Sequence, residues 1–121
     1  MLISSPVWAD WLLVAETQGG DKHYLDIATI RKSGNFVKVW ELNNFPKRQE
    51  FAKIQGVFST RYRAEYDCKN EKIRYVAISA HSELDAQGQV LGQDGKEGEW
   101  IEIPPSTISW NKLQTLCKLQ K

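Results

Sequence analysis

Cysteine is scarce in this chain: Cys68 and Cys117 are the only two among 121 residues. Two thiols allow a single intramolecular pairing, and even with His23 and His81 they offer too few ligands for a metal site at these spacings. No apolar run reaches the roughly 18 residues that a bilayer-spanning helix needs. No charge of one sign dominates either, with 16 basic and 15 acidic side chains and a net charge of +1. That balance argues against a chain whose main task is to coat nucleic acid or membrane. Catalytic signatures are missing as well. GxSxG, HExxH, a Walker loop and GxGxxG do not occur, and Gly92-Gln93-Asp94-Gly95-Lys96 lacks the phosphate-loop pattern. The paired acids Glu83 with Asp85 and Glu97 with Glu99 fall in a Gly-rich stretch where solvation is their ordinary state. The reading is a non-enzymatic chain, with no cofactor and no metal.

What is present is an ordinary globular composition, 41% hydrophobic and 26% charged, enriched in tryptophan (five). Large aromatics in that number point to a buried sheet core. Val57–Cys68 alternates cleanly: Phe58, Tyr62, Ala64, Tyr66 and Cys68 share one face, and Ser59, Arg61, Arg63, Glu65 and Asp67 share the other. Further strands are predicted over Trp11–Thr17, Lys22–Asp26, Phe36–Leu42, Lys72–Ser82 and Trp100–Ile103, with a short one around Gln89–Leu91. Ala28–Arg31 reads as a turn or a brief helical piece. Asn43–Gly56, polar and carrying Pro46, reads as a long connection. After Pro104-Pro105, Ser106–Leu119 has helical spacing, with Ser106 as N-cap and Trp110, Leu113, Leu116 and Cys117 on one stripe. Lys118 and Lys121 suit its C-terminal end. Trp40, Tyr66, Trp100 and Trp110 are the aromatic residues expected around the core. The fold class is α+β: an antiparallel sheet of about five or six strands with one C-terminal helix on one face.

Cys68 and Cys117 thus both point inward, one from a strand and one from a helix, and can meet if the helix crosses the sheet. A disulfide is the favoured reading, which implies an oxidising compartment; two free thiols in a reducing cytosol are the alternative. The N-terminus bears on the same question. Val7 and Ala9 fit the small-residue positions before a signal-peptide cut, and the basic start and most of the apolar stretch of a signal are missing. Residues 1–9 are therefore read as the remnant of a signal peptide or an ordinary frayed end, and residues 10–121 as one domain.

Charge is uneven along the chain. Lys47, Arg48, Lys53, Arg61 and Arg63 stand against Glu50 alone, whereas Glu83, Asp85, Asp94, Glu97, Glu99 and Glu102 stand against Lys96. Two solvated faces are the commoner meaning of such a pattern; a dipolar surface that steers a protein partner is the functional one. Arg61-Tyr62-Arg63 does not make a base-stacking platform, because alternation turns Tyr62 inward and the arginines outward.

Several short motifs fall in a specific order: Trp11 with its apolar strand, Tyr24-Leu25-Asp26 with Ile30, and Val37-Lys38-Val39-Trp40. Glu65-Tyr66-Asp67-Cys68 with Arg74 follows, then Gly88, then Trp100 and Ile103-Pro104-Pro105-Ser106, and last Cys117. In this order the chain resembles the surface-adhesin protein E family of Gram-negative bacteria. The resemblance implies an exported protein with an antiparallel sheet, a C-terminal helix, and a disulfide between cysteines placed like Cys68 and Cys117. It also implies a non-enzymatic module that binds a protein ligand, with Lys47, Arg48, Lys53, Arg61 and Arg63 as the candidate contacts. Position 10 is Asp rather than Cys, so no lipid anchor is visible, and the expected location is periplasm or cell surface. A homodimer through an exposed edge strand is a further expectation. The alternative function is a periplasmic inhibitor of a hydrolase such as lysozyme, presenting the acidic loop Glu83–Glu99.

Overall fold

The computed structural model describes residues 10–119. The N-terminal stretch read as a signal remnant, and Lys121, lie outside the described residues. The strands are β1 (Trp11–Glu16), β2 (Lys22–Ser33), β3 (Phe36–Phe51), β4 (Ile54–Asp67), β5 (Lys72–His81), β6 (Val90–Asp94) and β7 (Ile101–Glu102), followed by helix α1 (Ile108–Lys118). Every pairing is antiparallel, in the order β1-β2-β3-β4-β5-β6. β7 pairs with β5 at Lys72 and Ile73.

The largest departure from the sequence reading is the central hairpin. Asn43–Gly56 is not a connection: β3 runs on to Phe51, β4 begins at Ile54, and the turn between them is only Ala52-Lys53. Both turn residues have positive φ, 50° and 69°. That is the primed turn whose twist matches the flanking strands. Asn-Gly is the usual sequence sign of such a turn, and it is absent here. Pro46 is tolerated because the β3–β4 register is irregular between Asn44 and Gln49, so its missing N–H interrupts no ladder.

A second correction concerns Ala28–Arg31, which stays within β2 across a register irregularity. The Asp26 carboxylate accepts from the backbone of Asp10 and Ala28. Thr29 Oγ1 donates to the Asp26 carbonyl and accepts from Trp40 N. These contacts replace the ladder bonds that the bulge removes.

One sheet face is covered by α1. Leu25, Val37, Val39, Tyr62, Ala64, Tyr66 and Ile73 pack there against Ile103, Leu113 and Leu116. The helix starts one residue later than read: Thr107 Oγ1, not Ser106, accepts from Trp110 N at 3.1 Å. Ser106 has φ 68°, outside the extended region a cap requires. Cys68 and Cys117 are bonded, with 5.8 Å between their Cα atoms. A second, smaller cluster of Phe45, Val57 and Ala80, with Phe51, Ile54 and Leu91 against it, lies at the far end of the β3–β4 hairpin. Trp110 and Tyr66 belong to the core, but Trp40 and Trp100 do not. Both are half-buried and covered by guanidinium groups, Arg61 over Trp40 at 4.0 Å and Arg74 over Trp100 at 4.7 Å.

Candidate functional site

The parity that turns Val37 and Val39 toward α1 also turns Glu41 there, and Glu41 is fully buried. A carboxylate in that position needs a cation and donors. Lys112 Nζ donates to Glu41 at 2.8 Å and to Tyr62 Oη at 3.1 Å, and Tyr66 Oη donates to the other Glu41 oxygen. Burial first, and the Glu41 charge second, push the Tyr62 and Tyr66 hydroxyls well above the ordinary tyrosine range, so both remain phenols. This network ties sheet to helix, and the sequence reading missed it. Its signal was an acid on the apolar face of a strand and a lysine beside Leu113.

The opposite face carries Arg61 and Arg63. Register sets Trp40 beside Arg63, and Arg61 between Leu42 on β3 and Ser79 on β5. Arg61 sits over the Trp40 ring and helps line a groove of about 330 Å³ with Ala77, Ser79, Gln93 and Asp94. Arg63 Nε is buried without a hydrogen-bond partner. Among the described residues the ion pairs belong to Arg74 and Lys112, and neither Arg61 nor Arg63 makes one. Lys47, Arg48 and Lys53 are exposed on the far part of the same hairpin, with Arg48 over the Phe58 ring at 4.7 Å. The five basic residues therefore form two groups along one hairpin, two at its middle and three toward its tip.

A family model described as surface-adhesin protein E matches residues 11–118. The chain belongs to the surface-adhesin protein E family. No curated protein matches it in sequence. In fold it is similar to crystal form II of Haemophilus influenzae protein E, at TM-score 0.70 and 17% identity, over 97% of this chain and 94% of that one. It is also similar to protein E from non-typeable Haemophilus influenzae, at TM-score 0.62 and 15% identity, covering 97% and 81% of the two chains.

In this surface-adhesin protein E chain the acidic stretch is not a free loop. Leu84–Ala86 forms a 3-10 turn, and the short strand expected around Gln89–Leu91 is β6. Asp85 accepts from Asn44 at 2.8 Å, Asp94 from Lys96 N at 2.9 Å, and Glu97 pairs with Arg74 at 3.2 Å. The histidines sit on strands, as read. His81 Nε2 lies 2.7 Å from Ser79 Oγ, but its Nδ1 is buried with no partner, so the carboxylate of a Ser-His-Asp arrangement is missing. Burial, then the Arg61 charge, lowers the pKa of His81; burial, then Lys112, lowers that of His23. Among the described residues no group of acids, cysteines and histidines has metal-site geometry.

Proposed function

We propose that this chain is an exported, non-enzymatic module that binds a protein partner through the basic side of its central hairpin. The observation that carries the reading is Arg61, held on the Trp40 ring over a groove and, among the described residues, making no ion pair. Arg and Trp together are the side chains most enriched at interface hot spots. Stacking fixes the guanidinium plane, so less side-chain entropy is lost when its donors meet a carboxylate. Lys47, Arg48 and Lys53, exposed toward the tip, suit the steering of an acidic partner. The disulfide supports an oxidising location, the periplasm or the cell surface, and the family's description as a surface adhesin supports a host protein as the partner. The outer edge of β1 is unpaired among the described residues, and two copies pairing along it is the corresponding form of self-association. A monomer at high concentration in sedimentation refutes that part.

The main reading is tested by capturing partners from periplasmic and host-matrix extracts on the oxidised protein, then measuring kinetics with the partner identified. Arg61→Glu is expected to raise the dissociation rate at least about tenfold. The double variant Lys47→Glu/Arg48→Glu is expected to slow association and flatten its salt dependence. Unchanged kinetics in both variants overturn the proposal. The hydrolase-inhibitor alternative has less support, since three acids of the Glu83–Glu99 segment are already engaged within the chain.

A further inference from the structure

A second concavity lies on the helix side, far in the fold from the arginine groove. Its floor is Leu25 and Leu116, both with no exposed surface. Its walls are Leu12, Ile27, Ile30 and Leu119, from β1, β2 and the end of α1. The volume is about 430 Å³, in the range of pockets that hold small molecules. Three of the eight large apolar side chains exposed among the described residues border this one place: Leu12 at 44%, Ile27 at 42% and Leu119 at 39%. Apolar surface gathered around a cavity in this way calls for an apolar occupant. Among the described lining residues one is charged, and it is a cation. Lys32 stands exposed at the rim, with one ammonium hydrogen given to the Leu119 carbonyl at 3.0 Å and two still available. Among the described residues no acid lines the groove.

We infer that this groove is a binding site for a free single-chain fatty acid, its acyl chain on the leucine and isoleucine floor and its carboxylate at Lys32. The ammonium already offsets the negative end of α1 through the Leu119 carbonyl, so an anionic head meets a cation rather than a bare helix terminus. The head stays in water at the rim while the chain leaves it. Such a ligand needs no covalent change in the protein. The site is independent of the partner-binding reading above, since none of its residues lies on the basic side of the hairpin.

The test is calorimetric titration of the full 121-residue oxidised chain with octanoate, decanoate and dodecanoate below their micelle concentrations. Affinity is expected to rise about fourfold for each added methylene. Lys32→Met is expected to weaken decanoate binding about threefold while leaving decanol binding unchanged. Ile27→Asp, at an exposed position, and Thr115→Trp, which fills the groove from α1, are each expected to abolish binding while circular dichroism stays native. Absence of saturable binding, affinity independent of chain length, or decanoate binding that survives Ile27→Asp overturns the inference. Equal loss of decanoate and decanol binding in Lys32→Met also overturns it, because the carboxylate would then have no role.

Discussion

The two ends of the central hairpin are held by different means. The end under α1 has the larger core, a covalent bond from Cys68 to Cys117 and a buried ion pair from Glu41 to Lys112. The far end has Phe45, Val57 and Ala80, the 3-10 turn Leu84–Ala86 hydrogen-bonded to Asn44 and Ser59, no disulfide or buried ion pair among the described residues, and a turn whose two residues sit in the left-handed region. β3 and β4 pair at both ends, continuously from Phe36 to Asn44 and with register shifts from Asn44 to Phe51. What differs is how many independent ties must break before each opens. Local opening in a protein starts where such ties are fewest. Three of the five basic residues of the proposed contact surface lie on that less restrained end, so the partner would meet the softer half of a sheet anchored by the stiffer half.

The disulfide gives the largest expected effect. It closes a 49-residue separation, and chain entropy for such a loop amounts to about 4 kcal/mol. Cys68→Ala/Cys117→Ala is expected to lose that much in urea unfolding. Hydrogen exchange should rise most in α1 and in Val37–Glu41. Faster exchange confined to Pro46–Ile54 would reverse the comparison.

Next is Lys112→Met, expected to cost about 3 kcal/mol, because Glu41 is then left buried without its cation. The double variant Glu41→Leu/Lys112→Met is expected to recover most of the loss, since two apolar side chains need no compensation. A double variant as unstable as the single one would show that the pair holds the helix through its hydrogen bonds with Tyr62 and Tyr66.

The other end is addressed by Lys53→Gly, which removes side-chain crowding at φ 69°. A gain of about 0.5 kcal/mol is expected after allowing for glycine's extra freedom in the unfolded chain. Slower exchange should appear only at the far end of the hairpin. Stabilisation spread over the whole sheet would mean that the two ends unfold as one unit.

The same contrast explains what could be read from sequence. The stapled half was legible: Val57–Cys68 alternates in period two, Trp110, Leu113, Leu116 and Cys117 repeat in helical period, and together they place both sulphurs inward. The far half was not, because its signals are local exceptions. Ala52-Lys53 turns without glycine or asparagine, and Pro46 sits in a strand where the register already shifts. At the candidate site, Arg61 and Arg63 were correctly set on the outer face. Their relation to Trp40 was hidden, since a half-buried tryptophan under a guanidinium and a core tryptophan look alike in one strand's alternation. Glu41 and Lys112 were missed because each is unremarkable in its own element. Only the crossing of α1 over β3 makes them partners.

The smallest expected effect is a pH dependence seated in the stapled half. His23 on β2 lies across from Asn43 and feels Lys112, and burial and that ammonium depress its pKa below the ordinary 6.5. Above 6.5 the imidazole is neutral in both the folded and unfolded chain, and its contribution to stability is complete. As pH falls through 6.5 the unfolded chain takes up the proton first, so stability drops until the depressed folded value is passed and both states are charged. The urea midpoint of wild-type protein should therefore fall between pH 8 and pH 5.5, and fall less in His23→Gln. In Lys112→Met the histidine loses one of the causes of its depression, so the slope should shrink there too, although the protein is weaker throughout. His81, at the far end near Arg61, is depressed in the same direction, and His81→Gln separates its share. If His23→Gln keeps the full wild-type slope while His81→Gln removes it, acid sensitivity belongs to the soft end of the hairpin, and the coupling between His23 and the Lys112 anchor is absent.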